Sequence, residues 1–363
     1  MYFKMWRLFF TFLAIPLVLG SQTWNEGLKK APRYSMNIDL PEEERWESVL
    51  QHWNASEFRE MATAVFDKMV NKETLQLLEI IGGALDYYLP SPYAGEIRGI
   101  AKHFQMDVGE IVLYNLIYDI TLSGGCTSIV AQDSKGNIWH ARNMDYGFTA
   151  TLRNWTVVVD FQSHGKTLYT STSFVGQVGF YTGQRPNAFT VSLNERDEGT
   201  MLEDIIQILK ALISDKTVFT SFQIRDALSR NDTATFDSAL QRLAYHPETA
   251  PNYYIVGGAK SAEGAVITRD RLTAVDVWRL DLSNGRWFVL ETNYDHWEPP
   301  PKSDDRRDPG NKAMNAIGQD AIDLDAMLKV LSLPLVCNSG TVYTTLMSAA
   351  HPSSYATFIR HCG

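Results

Sequence analysis

Two short stretches hold residue types that could do chemistry together. One is Gly125-Cys126-Thr127-Ser128-Ile129-Val130, where a lone cysteine opens a strand-like run; the other is Arg142-Asn143-Met144-Asp145, an Arg and an Asp three residues apart at the end of the next such run. A thiolate is a strong nucleophile; a neighbouring guanidinium can lower its proton affinity, and a carboxylate can help orient it. The expectation is that Cys126 is a nucleophile and, after a chain cut at Gly125, a new N-terminus whose own α-amine takes the thiol proton. Read in isolation, Cys126 is as readily a small buried hydrophobe, and Arg142 with Asp145 a structural ion pair.

The other cysteines bear on this. Only Cys337 and Cys362 join Cys126, so the count is odd and one thiol should be free in an oxidising compartment. Cys337 and Cys362 could pair near the C-terminus; spacing alone does not fix it. The chain has no Cys-x-x-Cys, and its eight histidines include no His-Glu-x-x-His, so neither a metal nor another cofactor is expected. A papain-like thiol hydrolase would need a histidine base, and no histidine is distinguished by its context.

The elements that must position these residues come from a chain of 363 residues, 45% hydrophobic and 21% charged, with ample material for a core. A net charge of −9 argues against a nucleic-acid partner. At the N-terminus, Lys4 and Arg7 precede an apolar run over residues 8–19, followed by Gly20-Ser21. That pattern reads as a secretory signal peptide over residues 1–20, because the run is too short to span a bilayer. Entry to the secretory route gives meaning to the sequons at Asn54, Asn154 and Asn231, candidate glycan sites.

Apolar spacing of three and four predicts a mostly helical segment over 56–119, interrupted by Pro90 and Pro92, including an apolar helix around Leu75–Tyr88. Beyond Cys126 the period changes to two, predicting strands at 127–132, 137–142, 155–161, 166–174 and 188–193. Helices follow at 201–213, 222–228 and 233–243. A second β-rich stretch covers 253–256, 264–268, 274–280 and 286–291, with Asn284-Gly285 as the strongest hairpin signal. Pro299–Arg307 reads as a rigid charged connection to a helix near 324–331. Two groups of strands with helices around them indicate an α+β fold, a four-layer αββα sandwich with a mostly helical N-terminal segment. Gly124-Gly125 would ease a strained backbone at the cut.

Cys126 through Asp133, then Arg142-Asn143-Met144-Asp145-Tyr146, together resemble the N-acylethanolamine acid amidase and acid ceramidase family. Further matching segments follow in the same order: 193–196, 254–258, 266–269, 292–295, 304–307 and 342–345. The resemblance covers nearly the whole chain after the leader. It implies an N-terminal nucleophile hydrolase of lysosomal lipid amides, cut by itself between Gly125 and Cys126 into a helical α subunit (21–125) and a catalytic β subunit (126–363). Carried over position by position, Arg142 and Asp145 orient the nucleophile, Glu195 handles protons, Asn293 donates to the oxyanion, and Arg306 stands beside the site. Tyr146, Phe180 and Tyr181 become candidate walls of the substrate pocket. The resemblance also implies an α/β heterodimer of the chain's own halves and peripheral contact with lysosomal membranes or micelles.

Within that family, the short segment between Asp145 and Trp155 and the lack of cysteine before Cys126 lean toward N-acylethanolamines as substrates. Asn143-Met144-Asp145-Tyr146-Gly147, Leu193-Asn194-Glu195-Arg196 and Thr268-Arg269-Asp270-Arg271 lean toward ceramide. A catalytically inactive lipid-binding protein of the same fold is the reading from a different class.

Overall fold

In the computed structural model, the structure describes residues 27–69, 89–120, 124–198 and 217–363. The leader over 1–20 and the helices expected at 75–88 and 201–213 lie outside them.

Thirteen strands among the described residues form two sheets. The larger has eight strands in the order β1 (Arg33–Asn37), β4 (Thr156–Ser163), β5 (Lys166–Phe174), β6 (Thr182–Arg185), β7 (Phe189–Glu195), β8 (Asn252–Gly258), β9 (Gly264–Arg269) and β10 (Ala274–Arg279). The smaller is ordered β11-β2-β3-β12-β13 and is built on the hairpin of β2 (Gly124–Gln132) and β3 (Ile138–Tyr146). Every pairing is antiparallel except β1 with β4.

Alternation along β2 explains how the sheets stack. Val130 points inward, and with Ile138 and Val289 it meets Tyr253, Ile255 and Val266 of the larger sheet. Ile129 and Ala131 point outward to a cluster with Met314, Met327 and Leu331, supplied by the helices Arg307–Ile317 and Leu324–Val330 and the turn after the latter. The outer face of the larger sheet presents Val157, Val159, Phe161, Val191 and Leu193. It is covered by the helices Ala55–Met69, Tyr93–Phe104, Val108–Ile120, Thr220–Ser229 and Phe236–Tyr245. The layers are therefore helix, sheet, sheet, helix, as expected.

The sheets are not the two sequence groups of strands, however. β2 and β3 leave the first group to join β11 (Phe288–Glu291), β12 (Thr341–Met347) and β13 (Ala356–Ile359). Asn284-Gly285 does make a tight turn, with Gly285 at φ 76° and Asp281 bridged to Arg286. Its flanking strands belong to different sheets, so it is a crossing point rather than a hairpin of paired strands. Three elements had no sequence counterpart: a helix at Thr149–Trp155, β6 (Thr182–Arg185), and the helix Arg307–Ile317, whose Pro309 and Gly310 in the first turn disguised it. Cys337 and Cys362 are joined in a disulfide, and Cys126 is free and buried.

Candidate active site

The β2–β3 register places Cys126, the candidate nucleophile. Cys126 lies opposite Met144 and Ser128 opposite Arg142, so Arg142 is the diagonal neighbour of Cys126 on the inner face. Arg142 Nη2 donates to Cys126 Sγ at 2.8 Å, while its Nη1 is held by the Tyr181 carbonyl (2.9 Å) and Thr182 Oγ1 (2.8 Å). Thr182 Oγ1 meets the Tyr343 hydroxyl at 3.0 Å, which fixes that end of the fork. Cys126 and Arg142 are both buried. Burial pushes the thiol above its ordinary pKa; the Arg142 and Arg306 guanidiniums oppose this, and the Asp145 charge adds to it.

The main-chain nitrogen of the same residue is bound from another direction. Cys126 N–H donates to Asn293 Oδ1 at 2.7 Å, and Asn293 Nδ2 donates to the Glu195 carbonyl at 2.8 Å. Asn293 follows β11, which pairs with β2, and Glu195 ends β7 (Phe189–Glu195) in the facing sheet. Arg306 Nη2 shares Asn293 Oδ1 at 2.9 Å, and its Nη1 donates to the Cys126 carbonyl. Asp304 grips that guanidinium through two bonds, Nε to Oδ1 at 2.8 Å and Nη2 to Oδ2 at 2.6 Å. Asp145 accepts from Asn338 Nδ2 at 3.1 Å and lies 3.7 Å from Arg306 Nη1. Burial raises the Asp145 pKa against the pull of Thr341, Arg306 and Asn338.

Cys126, Arg142, Asp145, Glu195, Asn293 and Arg306 thus converge from five separate stretches of chain. Two orientations differ from expectation. In this uncleaved chain Asn293 faces the nucleophile as an acceptor, its amide nitrogen being committed to Glu195. Gly125 lies in regular strand opposite Asp145 and is not among the glycines with positive φ, so no strained turn marks the expected cut.

Two spaces flank the nucleophile. A cleft of about 590 Å³ is lined by Gly125, Glu195, Tyr253, Asn293, Asp304 and Arg306. A small apolar cavity is bounded by Val65, Tyr114, Met144, Tyr146, Phe174 and Tyr181. Met144 Sδ is 3.7 Å from Cys126 Sγ, so this cavity adjoins the thiol. Tyr146 and Tyr181 line it as expected. Phe180 does not: it faces the opposite way, with its ring centroid 5.0 Å from that of Phe161 and 5.4 Å from the Arg225 guanidinium carbon. Both residues lie in the connection between Phe174 and Thr182, outside the strands, and their side chains go to different sides of it.

His140 shares the inner face of β3, but it bonds Thr190 Oγ1 and Ser192 Oγ, and burial drops its pKa to about 3. No described histidine bonds the thiol, which removes the papain-like arrangement from the described residues. Nor is any described group of three His, Cys, Asp or Glu placed to hold a metal. The site can deliver a thiol to a carbonyl, with a nitrogen of the same residue held beside it. Asn338, Asp304 and Thr182 were missed as site residues.

The model of linear amide C–N hydrolases, choloylglycine hydrolase family, matches residues 126–327. The chain belongs to that family. This amide hydrolase is 44% identical to the N-acylethanolamine-hydrolyzing acid amidase of Rattus norvegicus, over 93% of the chain and 91% of the relative. It is 35% identical to the acid ceramidase of Homo sapiens, over 91% of the chain and 86% of that relative. A solved Caenorhabditis elegans N-acylethanolamine-hydrolyzing acid amidase ortholog superposes with a TM-score of 0.58 at 37% identity, covering 65% of this chain and all of its own.

Proposed function

We propose that this amide hydrolase cuts itself between Gly125 and Cys126 and then hydrolyses N-acylethanolamines to a fatty acid and ethanolamine. The observation that carries the reading is that Sγ and the main-chain nitrogen of Cys126 are separately bound within one site. That arrangement gains a catalytic use once the nitrogen is an amine. The matched family span also begins at Cys126.

In the cut, the thiol attacks the Gly125 carbonyl. The carbon–sulfur bond forms as the peptide carbon–nitrogen bond breaks, and the thiol proton passes to the departing nitrogen. Water then splits the thioester, leaving a carboxylate on Gly125 and a free α-amine on Cys126. In turnover the α-amine takes the thiol proton, sulfur attacks the lipid amide, and the same proton goes to the leaving amine. Water again releases the acid. Arg142 favours the thiolate, Arg306 holds the Cys126 carbonyl with Asp145 beside its guanidinium, and Glu195 handles protons at the cleft. Once the amine is free, reorientation of Asn293 would give the oxyanion a donor, a contribution commonly worth about 10²–10³ in rate.

The apolar cavity beside Met144 would take the start of the acyl chain, and the polar cleft the head group. Preference for ethanolamides over ceramides rests on the higher identity to the amidases, 44% against 35%. The leader pattern over residues 1–20 supports a lysosomal enzyme, an α/β heterodimer in peripheral contact with lipid. Asn54, Asn154 and Asn231 are all exposed, as glycan carriers must be. No described helix is long and apolar enough to cross a membrane.

A parallel assay of palmitoylethanolamide and a short-chain ceramide at acidic pH tests the reading, alongside mass analysis of the processed chain. Faster ceramide turnover would transfer the protein to the ceramidase branch. An intact but folded chain without turnover would favour the lipid-binding protein.

A further inference from the structure

Two donors converge on one acceptor beside the nucleophile. Cys126 N–H and Arg306 Nη2 reach Asn293 Oδ1 at 2.7 and 2.9 Å, and Arg306 Nη1 also binds the Cys126 carbonyl. The guanidinium therefore straddles the Cys126 main chain. Its side chain is 3% exposed, so water and salt screen it little. Burial works against its charge, but the bonds and charge of Asp304, with Asp145, hold the Arg306 pKa above its ordinary value. Asp304 makes its two-bond grip from the mouth of the cleft, where it is 50% exposed.

We infer that Arg306 is the charge that stops the Cys126 amine–thiol pair from holding an extra proton in acid, and that Asp304 is the positioning residue that aims and partly offsets it. This rests on the proposed cut, which turns Cys126 N into an amine. An ordinary α-amine titrates at about 7.7–8.0 and would be protonated, unable to take the thiol proton, in an acidic compartment. Whichever of the two groups releases the proton, the doubly protonated pair carries one more positive charge than the active form. That extra charge shares a single oxygen with a guanidinium. Like charges at about 5 Å, with an effective dielectric near 20 and a partial counter-charge, shift such a titration downward by about one to two pH units.

The other charges facing the pair do not replace Arg306. Arg142, from β3, acts in the same sense but is bonded to the sulfur. Asp145 from β3 and Glu291 from β11 would oppose it, yet burial pushes both toward their neutral forms, Glu291 to about 8. Glu195 ends β7 beside Asn293, and farther out the cleft carries Asp197, Glu198, Asp295 and Glu298 with Arg196. Arg306 is the cation bonded to the atoms around the nitrogen.

The test is the pH profile of kcat/KM for self-processed wild type, Arg306→Gln, Arg306→Lys and Asp304→Asn, each checked for an N-terminal Cys126. The acidic limb should rise by about one to two pH units in Arg306→Gln and stay within about half a unit in Arg306→Lys. In Asp304→Asn, with Arg306 still anchored to Cys126 and Asn293, the limb should fall by up to about one unit. A uniform loss of kcat/KM in Arg306→Gln with the limb unmoved would reduce Arg306 to a structural support. If that variant does not process, Asp304→Asn decides by sign, since an unmoved or raised limb overturns the inference. Wild type without Cys126 at a chain start overturns the cut itself, which is a different failure.

Discussion

Cys126 offers two atoms to one site, and each is held by a partner from a different stretch of chain. For the sulfur that partner is Arg142, whose two nitrogens are divided between Sγ and the Tyr181–Thr182 edge. Lysine supplies the charge without the fork, so Arg142→Lys should lower kcat by about 10²-fold, comparable to losing one aligned donor, with little change in KM. Steady-state kinetics on the processed variant checks this. Cys126→Ser should impair both processing and turnover; a fully processed, active serine variant, by mass analysis and assay, would remove the nucleophile assignment. That Cys126, Arg142, Asp145, Glu195, Asn293 and Arg306 meet was legible because they fall in a fixed order of segments shared with a family. Asn338 was not, because it reaches Asp145 across 193 residues and nothing local announces such a contact. Phe180 was misplaced for the converse reason: it is adjacent to Tyr181 in sequence, yet its ring packs on Phe161 and the Arg225 guanidinium rather than in the cavity.

At the scale of elements, helices preceding Cys126 are joined to the helix Thr149–Trp155 following it through an aromatic stack. Phe58 lies 3.8 Å between ring centroids from Phe104 and meets Tyr114 and Trp155 edge-on, at 5.6 and 5.5 Å. Phe58 is fully buried. Phe58→Ala should therefore cost about 3–5 kcal/mol in stability, measurable by denaturant unfolding of the precursor. Tyr114 also bounds the apolar cavity, so loosening this stack should raise KM for long-chain amides as well. The helical period identified these helices, and strand alternation identified most of the sheet. What the pattern could not supply was membership. β2 and β11 share a sheet although about 150 residues of other strands and helices separate them, and only side-chain packing between layers decides that. The helix Thr149–Trp155 escaped because it is short, its N-terminus carries no side-chain cap, and it runs straight into β4.

For the whole molecule, buried ionisable groups make stability depend on pH. Burial raises the Glu291 carboxyl to about 8, so its contribution is full below the ordinary carboxyl range and is lost as pH rises through about 8. His140 is depressed to about 3, so its contribution is present above the ordinary histidine value and is lost as pH falls toward about 3. Glu248, which burial raises to about 7, adds to the loss with rising pH, so the three groups put the highest stability at the acidic end of a window between about 4.5 and 6.5, with decline on either side. Thermal unfolding followed from pH 4 to 8 should show a maximum in that window. Glu291→Gln should flatten the alkaline side, and an unaltered slope would refute the assignment. A second buried cluster spans the proposed cut: Glu96, from the segment before Gly125, binds Arg225 through two bonds of 2.6 Å and Trp46 Nε1 at 2.7 Å. Glu96→Gln leaves Arg225 buried without its counter-charge and should weaken cohesion of the processed halves by about 3–5 kcal/mol, read as dissociation by size exclusion in mild denaturant.

β1 is the edge strand of the larger sheet, and it lies before Cys126 while every other strand of that sheet lies after it. A cut at Gly125 therefore produces two polypeptides that already share a sheet. Their stoichiometry is fixed when the ribosome releases the chain, and no encounter between separate subunits is ever required. Dilution, which limits ordinary heterodimers through mass action, acts on this one only after it has first come apart.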